Sequence, residues 1–128
     1  MNNTKKPKHP VLIVDDEQSW IVSMKILLLR KLGINNTIAC TDSRMVNSYL
    51  ASNSISLVLL DYTMPYMNAE QVLAETKSAH SRVPVIVLTG QDYLDLSENC
   101  MELGAFDHCI KTSGTDSILS GVKRALNL

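Results

Sequence analysis

Residues 56–65 read Ser56-Leu-Val-Leu-Leu60-Asp61-Tyr-Thr-Met-Pro65, an unbroken apolar run that stops at a carboxylate and passes into a proline-ended loop. A short run with no polar interruption suits a strand covered on both faces, as in a parallel sheet flanked by helices. Four similar runs occur: Val11-Leu-Ile-Val14, Thr37-Ile-Ala-Cys40, Val83-Pro-Val-Ile-Val-Leu88 and Phe106-Asp-His-Cys-Ile110. Between them lie longer segments with helical spacing. Ile21, Met24, Leu28 and Leu32 form one apolar stripe, and Val72, Leu73, Thr76 and Ala79 form another. Val46, Leu50 and Ala51 mark a helix that Asp42 or Ser43 would cap, and Ile118, Leu119, Val122 and Leu126 mark the last. Gly33 and Gly104 stand where helices should end. Five strands alternating with five helices predict a (βα)5 open parallel sheet with helices on both sides.

The 128 residues suffice for one domain with a complete core, expected over residues 10–128. Twelve Lys and Arg oppose 13 Asp and Glu, so no basic surface of the kind that coats nucleic acid is expected. The one basic cluster, Lys5, Lys6 and Lys8 beside His9, reads as part of a flexible, solvated leader over residues 1–9. Cys40, Cys100 and Cys109 are odd in number, include no CxxC pair and lie in or beside apolar segments, so they read as reduced core residues. No apolar stretch reaches 18 residues and no signal-peptide pattern opens the chain. A cytoplasmic protein without membrane contact is the expectation.

In an open parallel sheet, ligands bind outside the carboxyl ends of the strands. The first run ends in Asp15-Asp16-Glu17, the third in Asp61, the fourth in Thr89-Gly90 and the fifth in Lys111. Each alone is ordinary: a turn, a helix cap or a solvated lysine. Together they put acidic residues, one hydroxyl and one ammonium on a single rim. Crowded carboxylates repel unless a cation lies among them, and Mg2+, which prefers hard oxygen ligands, fits. A carboxylate so placed can attack phosphorus, with a lysine and hydroxyl or amide donors stabilising the transferred charge.

On these residues the chain resembles response regulator receiver domains over essentially its full length. The resemblance is carried by Val14-Asp-Asp-Glu17, Leu59-Leu-Asp-Tyr-Thr-Met-Pro65, Val85-Ile-Val-Leu-Thr-Gly90, and Gly104-Ala-Phe-Asp107 leading to Lys111. It implies a flavodoxin-like doubly wound sheet of order 2-1-3-4-5. It implies phosphorylation of Asp61 by a sensor histidine kinase or phosphotransfer protein. Mg2+ would be held by Asp16, Asp61 and the backbone carbonyl of Thr63, with Asp15 acting through water. Thr89 and Lys111 would contact the phosphoryl group, the amides of Thr63 and Gly90 would donate to it, and Thr63 and Gln91 would tune dephosphorylation. Thr89 and His108 would form the switch, moving a face of helix four, strand five and helix five toward an effector domain, a target protein or a second copy. The wording of these motifs is also similar to receivers of enhancer-binding transcriptional activators of the NtrC type.

Three positions depart from the family pattern. Thr112 stands where proline usually follows the lysine, leaving a cis or a trans Lys111–Thr112 bond open; cis without proline costs about 2.5–4 kcal/mol. Ala69 replaces a common glycine, and His108 replaces a larger aromatic. A degenerate receiver acting as a phosphorylation-independent interaction module is the alternative. A flavin or nucleotide enzyme of the same fold lacks support, because no Gly-rich loop follows the first strand.

Overall fold

A computed structural model describes residues 4–91 and 94–128. In chain order the elements are β1 (Val11–Val14), α1 (Gln18–Leu32), β2 (Thr37–Cys40), a 3-10 turn (Ser43–Met45), α2 (Val46–Ser52), β3 (Leu57–Asp61), α3 (Ala69–Ala79), β4 (Val85–Thr89), α4 (Leu94–Glu102), β5 (Asp107–Ile110), a second 3-10 turn (Lys111–Ser113) and α5 (Asp116–Leu126). All strand pairs are parallel and the order is β2-β1-β3-β4-β5, as the resemblance implied.

The apolar runs explain this order. β1, β3 and β4 are buried at every position and occupy the centre, while β2 and β5 are partly exposed at the edges. Successive side chains point to opposite faces. Leu12, Val14, Val58 and Leu60 meet Val46, Leu50, Val72, Leu73 and Cys100 on one side. Val11, Ile13, Leu57 and Leu59 meet Ile21, Met24 and Leu28 of α1 and Ile118 and Val122 of α5 on the other. Each such aliphatic side chain contributes about 1.5–3 kcal/mol on burial. Cys40, Cys100 and Cys109 are free thiols inside this core. Burial raises all three above the ordinary thiol value, Cys100 to about 11.

Three strands start one or two residues later than their apolar runs suggested, and two of them also end one residue later. Ser56, Val83, Pro84 and Phe106 fall outside the ladder, while Asp61 and Thr89 fall inside it. Asp61 pairs with Leu88 and Thr89 with Ile110, so both polar side chains leave from regular sheet rather than from loops.

The helix ends follow local rules. Asp42 caps the first 3-10 turn by accepting from the Arg44 amide. α3 opens with a reciprocal capping box: the Gln71 amide donates to Asn68 Oδ1 at 2.8 Å and the Asn68 amide donates to Gln71 Oε1 at 3.0 Å. Ala69 is therefore the first helical residue and is buried, needing no glycine. α1 ends at Gly33, whose φ of 68° lets its amide reach Leu29 and the Ile34 amide reach Leu28.

The leader expected to be flexible is, over its described residues, hydrogen-bonded to the turn between α1 and β2. The amides of Asn35 and Asn36 donate to the Lys6 carbonyl, the Lys6 amide donates to Asn35 Oδ1, and the Asn36 side chain donates to Pro7 and Lys8. Two adjacent asparagines supply the donors and acceptors that a charge-rich strip of backbone needs. No helix among the described residues is long and apolar enough to cross a membrane.

Replacing Gly33 with Ala forces a Cβ into the left-handed region and should cost about 1–2 kcal/mol. Urea midpoints at constant slope read this loss, and Gly33→Asn, which tolerates that conformation, should lose clearly less.

Candidate functional site

Three elements end at one place on the carboxyl rim of the sheet. Asp15 follows β1, held by its own amide donating to the Cys40 carbonyl and by the Glu17 amide donating to its Oδ1 at 2.9 Å. Asp61 closes β3. Lys111 follows β5 and sends its ammonium back across the rim, 2.6 Å from Asp15 Oδ2 and 3.1 Å from Asp61 Oδ1. Asp15 is 0% exposed and Asp61 6%, whereas Asp16 faces solvent. The carboxylate oxygens of Asp15, Asp16 and Asp61 lie within 4.8 Å of one another.

Two buried carboxylates this close are costly. Burial, then the charge of Asp15, pushes the Asp61 carboxyl up to about 6, although Lys111 pulls it the other way. Burial lowers the Lys111 ammonium, but its hydrogen bond to Asp15 and the charges of Asp61 and Asp15 outweigh that and leave it raised. The set of hard oxygens, two buried and one open to water, has the donor chemistry that suits Mg2+, which keeps several water ligands. A divalent cation would also relieve the repulsion that lifts Asp61.

The remaining expected residues lie beside this cluster. Thr63, Thr89, Gly90 and Gln91 line a cavity of about 210 Å3 together with Tyr62 and Leu96. The Thr89 hydroxyl is turned into its own loop: it donates to the Gln91 carbonyl at 2.7 Å and accepts from the Gln91 amide at 3.0 Å. His108 is half-buried on β5, in register with Val87 and three residues before Lys111. The Lys111–Thr112 bond is trans, the only cis bond among the described residues being Lys6–Pro7. Lys111 reaches both carboxylates on this path.

Sequence reasoning missed several neighbours. The Trp20 ring lies against the Lys111 ammonium, 4.4 Å from ring centroid to nitrogen. Tyr62 donates its hydroxyl to Glu70 Oε1 at 2.8 Å. Buried Ser43 donates to the Pro65 carbonyl and accepts from the Met67 amide, while the Arg44 guanidinium lies 3.8 Å over the Tyr66 ring. These contacts brace the loop after Asp61, where Tyr66 is held in the left-handed region at φ 74°. The one available signal was position: Trp20 is four residues after Asp16, one helical turn from the rim.

Fold and rim together define a doubly wound α/β domain whose sheet ends in a cluster of carboxylates bridged by a lysine. Residues 11–123 match the response regulator receiver domain, and the chain belongs to that family. It is thus a receiver domain of two-component signal transduction. It is 31% identical over 119 residues to the DNA-binding transcriptional regulator NtrC of Salmonella typhimurium, covering 91% of this chain and 24% of that protein. It is 31% identical over 118 residues to the regulatory protein AtoC of Escherichia coli, covering 92% of this chain and 25% of that protein. The chain thus spans about a quarter of the length of these relatives. Among solved structures, a response regulator receiver domain from Clostridium thermocellum superposes with a TM-score of 0.82 at 27% identity, over 93% of this chain and 94% of that one. The receiver domain of a Francisella response regulator shares the fold, with a TM-score of 0.83 at 21% identity over 93% and 97%.

Because the folded-state value of Asp61, about 6, exceeds the ordinary 3.8, the metal-free fold binds this proton more tightly than the unfolded chain does. The group therefore opposes folding at neutral pH, and the penalty fades as pH falls through 6 toward 4; the raised Lys111 contributes stability that is fully present below pH 10.5 and lost above it, so it stays constant across this window. Asp61→Asn should stabilise the metal-free protein by about 1–3 kcal/mol at pH 7.5. Paired urea titrations should show that gain shrinking to near zero by about pH 4.

Proposed function

We propose that Asp61 accepts a phosphoryl group from a phosphohistidine of a sensor kinase or phosphotransfer protein. The observation that carries this reading is the Lys111 ammonium bridging Asp15 and Asp61 at 2.6 and 3.1 Å. That contact spans 96 residues of chain and brings a cation to a buried carboxylate that its surroundings otherwise destabilise.

A carboxylate oxygen of Asp61 attacks phosphorus. The new O–P bond forms as the donor's N–P bond breaks, and the electron pair returns to the imidazole nitrogen, which takes a proton. Asp15, Asp16, Asp61 and the Thr63 carbonyl are the groups suited to hold Mg2+, Asp15 through water. Bound Mg2+ would offset the negative charge of the transferring phosphoryl group. Lys111 follows that charge, leaving a carboxylate oxygen for a phosphoryl oxygen, and the amides of Thr63 and Gly90 donate to the other oxygens. Thr63 and Gln91, which line the cavity, govern access of the water that later removes the group.

Switching follows from the same contacts. Thr89 must give up the Gln91 carbonyl to donate to the phosphoryl group. A neutral hydrogen bond is worth about 0.5–1.5 kcal/mol net, and one to a charged acceptor about 1.5–3 kcal/mol, so the exchange favours the phosphorylated state. As Thr89 moves, His108 shifts inward and the face of α4, β5 and α5 changes its population of states. That face would meet an effector domain, a target protein or a second copy. The similarity to the DNA-binding transcriptional regulator NtrC supports a transcriptional regulator as the larger protein, for which the cytoplasm is the fitting place.

Incubation with acetyl phosphate and Mg2+ should add one phosphoryl group by intact-mass measurement. Excess chelator or Asp61→Asn should remove the signal, and label retained in Asp61→Asn would refute the assignment.

A further inference from the structure

The Lys111 ammonium has three donors. Two directions are taken by Asp15 and Asp61, and the indole face of Trp20 lies on another side, 4.4 Å from the nitrogen. Trp20 belongs to the first turn of α1 and packs on the buried layer formed with α5, so its ring is fixed by the core rather than by the lysine. By contrast, the backbone beyond Lys111 offers little anchorage. Residues 112–115 are all exposed, the Lys111–Ser113 turn has no buried member, and Gly114 continues at φ 94°. What aims this lysine is therefore what its head group meets.

We propose that Trp20 is a positioning residue for Lys111, holding the ammonium over the Asp15–Asp61 pair through the face of its ring. A cation over an aromatic face is attracted by the ring quadrupole, more strongly where water is excluded, and this side chain is only 18% exposed. The role matters when the charge on Asp61 is rearranged. The ammonium then loses one of its two carboxylate contacts, and the ring keeps it on the rim, within reach of the incoming phosphoryl oxygen. This inference rests on the reading of Asp61 as phosphoacceptor.

The test combines a rate with a spectroscopic signature. Trp20→Leu keeps apolar volume without a π face, and Trp20→Phe keeps a weaker one. Labelling by acetyl phosphate under saturating Mg2+ should slow about fivefold in Trp20→Leu, equivalent to ~1 kcal/mol, and less in Trp20→Phe. In a Lys111→Met background, Trp20→Leu should change the rate less than about twofold. An equal loss in both backgrounds overturns the proposal, since the tryptophan would then serve packing alone. Independently of any phosphorylation, NMR of metal-free protein should show the Lys111 ε-methylene protons shifted upfield by the indole ring current and restored in Trp20→Leu. An unshifted Lys111 in the unsubstituted protein overturns the contact itself. If the unsubstituted protein takes no label while the ring-current shift is present, the reading of Asp61 fails and the holding of Lys111 by Trp20 stands.

Discussion

The organising constraint is electrostatic: Asp15 and Asp61, both buried, share one ammonium. Burial makes the Asp61 charge costly in that setting, and removing Lys111 would leave two like charges facing each other in a place water barely reaches. The rest of the fold serves to make this arrangement unavoidable. β1 and β3 are adjacent central strands whose buried residues fix their register, so their ends deliver two acidic side chains side by side. β5 lies at a sheet edge, and the chain leaving it sends a long cationic side chain back over that rim without crowding the centre. The result is a site with stored electrostatic tension, which binding of further positive charge relieves.

Much of this was legible before any coordinates, for a specific reason. Strands buried on both faces must be apolar throughout, so the first polar residue after each run announces a position on the rim. Asp15, Asp61, Thr89 and Lys111 were found by that rule alone, and the resemblance supplied strand order and roles. The exact strand ends were less legible, since Ser56 and Phe106 look as strand-like as Asp61 and Thr89; only the pairing register decides between them. Ser43 was invisible because its two partners, Pro65 and Met67, are contacted through backbone atoms that carry no sequence signal. Trp20 was passed over because an aromatic beside a helical apolar stripe reads as core, and it is core on one face and site on the other. The contacts of residues 4–9 were not legible because Lys5, Lys6 and Lys8 face solvent as their charges suggest, and it is the backbone that meets Asn35 and Asn36. The box at Asn68 and Gln71, by contrast, was there to be read.

Two loops bordering the site are restrained in different ways. The loop after β3 is clamped from outside by Ser43 and Arg44, which keeps Thr63 and its neighbours near Asp61 while Tyr66 occupies an unfavourable conformation. The described part of the loop after β4 is restrained through the Thr89–Gln91 turn. A stiff wall facing a wall that a local exchange of hydrogen bonds can open gives the cavity between them one direction in which to change. That asymmetry lies on the side of the sheet leading to β5 and α4.

The sealed thiols of Cys40, Cys100 and Cys109 have an experimental meaning of their own. Alkylation needs thiolate, and burial with a raised pKa withholds it from reagents in the native fold. The protein therefore carries three silent reporters of opening, distributed over both sides of the sheet, while a single cysteine engineered onto the surface would be labelled against almost no background.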